Sequence, residues 1–189
     1  MLGSRLDSCL SFLLLGCALP GSLSAQQPVL NEFLARNDTG LRDEDGDRSD
    51  WIEIYNPSTS PVNLGGWRLT DDSADLSKWV LPSQTLAPGE YAVIFASNKD
   101  RASTGQPLHT NFRLSAGGEY LALVSPAGVI TTQYAPAFPA QTPDIAYGLQ
   151  ADLFTFLYLD PPTPGGPNQG GGGALLDPVT FTREPGFES

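Results

Sequence analysis

The sequence predicts an all-β protein, an antiparallel sandwich of two sheets, and three observations carry that prediction. Between residue 28 and about residue 159, short runs rich in Val, Ile, Leu, Tyr, Phe and Trp are separated by clusters of Gly, Pro, Asn, Asp and Ser. No long apolar periodicity of 3.6 residues competes with that pattern. Turn-forming sequences recur at the short spacing that hairpins and sandwich corners require. About eight or nine strands follow, with alternate side chains filling the layer between the sheets.

Taken in order, the elements justify themselves locally. The run VLNEFL, from Val29, reads as the first strand and is followed by an acidic loop. Trp51, Ile52, Glu53, Ile54 and Tyr55 form a partly alternating strand, with Ile52 and Ile54 facing one way and Trp51, Glu53 and Tyr55 the other. Asn56-Pro57 ends it, and Leu64-Gly65-Gly66 bends the chain into a strand containing Trp67. Ala87-Pro88-Gly89 leads into Glu90 and a run to Ala96 that is more uniformly apolar, as expected for a strand buried on both faces or central in its sheet. Pro126-Ala127-Gly128 joins two hairpin arms. Trp51, Trp67 and Trp79 invite comparison with a sugar-stacking platform, but large aromatics mostly bury, and Trp67 is read as core.

Several spaced segments, in order, resemble the lamin tail domain. They are Asn31-Glu32-Phe33, Asp50-Trp51-Ile52-Glu53-Ile54-Tyr55-Asn56, Leu64-Gly65-Gly66-Trp67-Arg68-Leu69-Thr70-Asp71, Trp79-Val80-Leu81-Pro82, Leu108-His109-Thr110-Asn111-Phe112 and Gly118-Glu119-Tyr120-Leu121. The resemblance covers roughly residues 28–168. It implies an immunoglobulin-like β-sandwich of the kind found at the end of nuclear lamins and near the start of many bacterial secreted or surface proteins. It also implies a module that binds or displays and does not catalyse.

Charge removes one function attributed to that family. The formal net charge is -11 and the sequence pI about 4.2, with no basic run. A surface of this sign repels phosphate backbones, so the nucleic-acid contacts of eukaryotic lamin tails do not carry over.

Residues 1–25 read as a secretory signal: Arg5, an apolar run at 9–19, a Pro-Gly break, then Ser22-Leu23-Ser24-Ala25 before Gln26. The run is too short for a permanent membrane span. Leu14-Leu15-Gly16-Cys17 also resembles a lipobox, which would anchor the chain as a lipoprotein through Cys17. Both cysteines, Cys9 and Cys17, fall in this segment, so the mature domain is expected to carry no disulfide and no Cys-ligated metal.

The domain is expected at 26–160, with a Pro/Gly-rich linker at 161–174 whose composition offers no means of packing. Within that linker, Thr163-Pro164-Gly165-Gly166-Pro167-Asn168 resembles a closing motif that follows bacterial lamin tail domains. Residues 175–189 read as the opening of a further β-domain, which gives the expectation that the chain is the front of a longer protein.

Two places attract a chemical reading. In the loop Asp43-Glu44-Asp45-Gly46-Asp47-Arg48-Ser49-Asp50, hard oxygen ligands alternate and offer a surface calcium site at Asp43, Asp45, Asp47 and Asp50. An EF-hand is excluded, since its sixth position would be Arg48 and its twelfth Ile54. The alternative is a solvated acidic loop, with Arg42 and Arg48 offsetting repulsion and Asp50 capping the turn before Trp51. His109 is the only histidine, and no G-x-S-x-G elbow occurs, so it reads as a structural or surface residue.

No catalytic residue or other cofactor is assigned. The expected function is a secreted or cell-surface binding, adhesion or scaffolding module, its partner an unidentified protein or an envelope polysaccharide. Alternatives are an accessory domain of a larger surface enzyme, such as a hydrolase or a spore-coat (CotH) kinase-like protein, and a calcium-dependent carbohydrate-binding module with an exposed aromatic among Trp51, Trp79 and Tyr120.

Overall fold

A computed structural model describes residues 27–150, 152–153 and 155–169. The signal segment, with Cys9 and Cys17, and the expected opening of a further domain at 175–189 lie outside the described residues.

Twelve strands occur among the described residues: β1 Val29–Leu34, β2 Asp50–Tyr55, β3 Val62–Asn63, β4 Arg68–Thr70, β5 Trp79–Val80, β6 Thr85–Leu86, β7 Tyr91–Ala96, β8 Leu108–His109, β9 Leu121–Val124, β10 Ile130–Tyr134, β11 Ala146–Leu149 and β12 Phe156–Leu159. The number exceeds the eight or nine expected because β3, β5, β6 and β8 have only two residues each, too short to leave an alternating pattern. A six-stranded sheet in the order β12-β11-β1-β2-β7-β8 faces a four-stranded sheet in the order β10-β9-β4-β5, and β3 pairs with β6 in a third, two-stranded piece. All pairings are antiparallel except β7 with β8. The architecture is the immunoglobulin-like β-sandwich that the sequence resemblance implied.

The inner face of the large sheet contributes Leu30, Phe33, Ile52, Ile54 and Ile94 to a core shared with Leu69, Leu121, Leu123 and Tyr134 of the opposing sheet. Phe33 is its aromatic centre, with ring centroids 5.1 Å from Tyr134 and 4.6 Å from Phe138. The outer face carries a second apolar cluster of Leu34, Trp51, Phe95, Ala146 and Leu159. Period-2 alternation along β2 therefore behaves as its sequence indicates, with Ile52 and Ile54 in the main core and Trp51 opposite.

Strand β1 breaks the alternation. Leu30 pairs with Ile54 but Glu32 pairs with Glu53, so Asn31 is the extra residue of a β-bulge. Asn31 and Glu32 consequently both face outward, while Leu30 and Phe33 both face the core.

Trp67 lies in the turn just before β4, not inside a strand, and is 4% exposed. Its backbone bonds both Leu64 and Leu81, closing the turn that Gly66 enters at φ +82°. Trp51, Trp79 and Tyr120 are 1%, 3% and 9% exposed. The exposed aromatic that a sugar-stacking surface needs is therefore absent from these three positions, because each ring fills an apolar cluster.

The expected linker is corrected over part of its length. Residues 163–168 fold back onto the outer face of β1 and β2, and Asn168 donates to the backbone carbonyls of Asn31 and Leu149 at 3.0 and 2.6 Å. Packing here uses polar and backbone atoms, which composition does not reveal.

Trp67→Ala is expected to cost about 3 to 5 kcal/mol in equilibrium denaturation, the range for deleting a buried aromatic. A loss below about 1 kcal/mol would remove Trp67 from the core.

Candidate functional site

The densest polar assembly joins the acidic loop to the turn after β7 and to β8. Its organiser is Asp43, whose side chain is fully buried. One carboxylate oxygen accepts the Asp45 and Asp47 amides at 3.1 and 3.0 Å, and the other accepts the Ser49 hydroxyl at 3.0 Å. Gly46, at φ +84°, turns the loop so that its amide bonds the Asp43 carbonyl. Asn37 ties the loop's flanks by donating to the carbonyls of Leu41 and Ser49.

Asp43, Asp45 and Asp47 do converge, their ligand atoms within 4.8 Å of one another. The Lys99 ammonium stands among them, 2.7, 2.7 and 2.9 Å from the three carboxylates. An ammonium with three donors satisfies three acceptors in the manner of a small cation. Burial favours a neutral amine, but the three carboxylates outweigh it and push the Lys99 pKa up. At Asp43 burial likewise works to raise the pKa, and the hydrogen bonds from Lys99, Ser49 and Asp47 overcome it and hold the carboxyl below its usual range. Hydrogen bonds from Arg101 and then Lys99 lower Asp45 to about 2.

Asp50 does not join this group. It sits on β2 opposite Ala96. Burial raises its pKa to about 6 against hydrogen bonds from the Leu114 and Asn37 backbones and the charge of Arg113. The four-residue ligand set read from the sequence is thus three residues around a lysine and one residue elsewhere.

His109 lies on β8 and is fully buried. Its Nδ1 is 2.8 Å from the Ser97 hydroxyl, and its Nε2 is 2.9 Å from Glu44, which also accepts from Arg101 at 2.6 Å. The hydrogen bond from His109 leads the effects that lower the Glu44 pKa. An ionised Glu44 only accepts, so Nε2 is the donor in this contact. Hydroxyl, imidazole and carboxylate stand in the order of an acyl-transfer relay. Ser97 is only 4% exposed, however, and its hydroxyl oxygen also accepts the Lys99 amide at 3.2 Å. The array fastens β7, β8 and the acidic loop together. Sequence reasoning missed Ser97, Lys99 and Glu44 as partners, because each contact spans from 12 to 65 residues.

The lamin tail domain family matches the chain over residues 24–137. The chain belongs to the lamin tail domain family. A search of curated proteins gave no match. The match to the lamin tail family ends before β11 and β12, which complete the large sheet beyond it. Among the described residues, no helix is long and apolar enough to cross a membrane.

Lys99→Met leaves three carboxylates facing one another and is expected to cost about 2 kcal/mol at neutral pH, tempered by partial solvent access. Asp43 and Asp45 have lowered pKa values, so their contribution is present above the ordinary carboxylate range and is lost as the pH falls through the folded values, about 2 for Asp45. Urea denaturation at several pH values checks this: the gap between wild type and variant should close in acid, and a gap constant with pH would contradict it.

Proposed function

We propose that this chain is a secreted or cell-surface module that binds or displays and performs no chemistry of its own. The observation that carries this reading is that the residues with catalytic character are spent on joining loop to sheet, Ser97, His109 and Glu44 bonding in series and the Lys99 ammonium bonding Asp43, Asp45 and Asp47. Lamin tail membership points the same way, since the family is an immunoglobulin-like domain. A formal net charge of -11 favours protein or polysaccharide partners over nucleic acid. Export follows from the signal-like sequence at 1–25, with lipid attachment at Cys17 as its variant.

A second reading, an accessory domain of a larger surface enzyme, is favoured by the strand-like sequence at 175–187. Calcium fits the acidic loop only by displacing the Lys99 ammonium, so a lysine-closed loop is the better account of Asp43, Asp45 and Asp47.

Expression in a host with its own export system, followed by fractionation and N-terminal sequencing, is expected to give chain outside the cytoplasm beginning at Gln26 or Cys17. Retention of the full-length chain in the cytoplasm would contradict export. The purified chain is expected to show no ester hydrolysis that Ser97→Ala abolishes, and the same melting temperature in millimolar calcium as in chelator. Turnover lost in that variant would overturn the non-catalytic reading, and a calcium-dependent rise in melting temperature would restore the metal.

A further inference from the structure

Two glutamates stand directly opposite each other at the centre of the large sheet: Glu32 of β1 and Glu53 of β2 are register partners, and both are 0% exposed. The cover over them is residues 163–168. Glu32 accepts the Thr163 amide at 2.9 Å on one oxygen and the Thr163 hydroxyl at 2.8 Å on the other. Glu53 accepts the Gly165 amide and, at 2.7 Å, the side-chain amide of Asn31. Asn31 also donates to Asn168 at 2.9 Å.

The fit is steric as well as polar. A Cβ on Gly148 of β11 would collide with the Asn31 carbonyl oxygen and lie 2.9 Å from the Asn168 side-chain nitrogen. This glycine has no positive φ to explain it. Its bare backbone leaves room for the bulged β1 backbone and for the Asn168 side chain.

We propose that Asn31, Glu32, Glu53 and Gly148 form an acceptor groove for the chain's own segment 163–168, and that this clasp is fast in acid and slackens as the pH rises. The point at which the polypeptide leaves the sandwich is then set by protons.

The chemistry follows from what surrounds the carboxylates. No lysine or arginine pairs with either glutamate among the described residues. The other titratable groups acting on them are phenols, Tyr91 of β7 on Glu53 and Tyr134 of β10 on Glu32. Burial pushes both phenols up, Tyr91 to about 12, so both stay neutral in the relevant range. Two anions on opposed residues, without a cation, raise each other's cost of ionisation. Desolvation accordingly lifts Glu53 to about 7 and Glu32 above its usual value, against the hydrogen bonds from the clasp.

A protonated Glu32 donates to the Thr163 hydroxyl, which then donates to Asn168, 3.2 Å away, so the Thr163 end of the clasp stays hydrogen-bonded in its neutral form. Opening returns both glutamates to water and to ordinary pKa values. The closed state therefore binds protons more tightly than the open one, and its advantage declines from the ordinary carboxylate range up through about 7.

Hydrogen exchange of the full chain tests this at the Thr163 and Gly165 amides, with rates corrected for intrinsic exchange. Between about pH 5.5 and about pH 8, protection of these two amides is expected to fall by about tenfold or more, since each unit of differential proton affinity is tenfold. Core amides on β2 serve as the internal reference. In Glu32→Gln/Glu53→Gln the fall should vanish. Protection that holds level or grows with pH in the wild type would overturn the proposal, and so would an unchanged slope in the double variant. The wild-type series decides the sign alone if the double variant does not fold.

Discussion

The burial of Glu32 and Glu53 side by side is the constraint around which the large sheet is organised. Strands β1 and β2 sit in its middle, so whatever projects from their outer face must be covered or hydrated. On this chain it is covered. The bulge at Asn31 turns two consecutive polar residues to that face, Gly148 leaves room for the β1 backbone and for Asn168, and the segment brings its amides, its hydroxyl and Asn168 to the acceptors. Buried carboxylates left without donors would destabilise a fold by several kcal/mol each, of the same order as the whole stability of a small domain. The outer apolar cluster around Trp51 and Leu159 lies on the same face of the sheet.

The acidic loop solves a related problem by the opposite means. At the sheet centre the negative charge can be neutralised by protons, whereas around Asp43 it is neutralised by the fixed charge of Lys99. The two devices respond to pH in opposite directions. Falling pH weakens the lysine cluster and rising pH loads the glutamate pair, which places the most favourable balance in mildly acid solution. Both devices hold a surface segment, the acidic loop or residues 163–168, against the sandwich.

Much of this was legible in the sequence. The alternation of Trp51, Ile52, Glu53, Ile54 and Tyr55 gave the correct faces of β2, and the Gly and Pro signals at Gly66, Gly89 and Gly128 fall at turns with positive φ. The convergence of Asp43, Asp45 and Asp47 was legible too, since alternate acids in a tight loop have few other arrangements. Lys99 was not, because a contact across 56 residues leaves no local trace. Asp50 stands apart from that group for a related reason: the chain has already entered β2 there, and its carboxyl turns to the Leu114 and Asn37 backbones. The clasp was read as linker because a Pro/Gly composition reports only on side-chain burial. Docking through backbone amides and one asparagine is invisible to that measure, although the likeness of 163–168 to a closing motif marked the place.

The most direct test of this account is the titration of the Glu53 side-chain carboxyl by carbon NMR in the full chain. An apparent midpoint near 7 is expected, coupled to Glu32, with the Gly165 amide shift following the same curve. A midpoint in the ordinary carboxylate range, with the Gly165 amide indifferent to it, would show a solvated glutamate and contradict the buried, clasped pair.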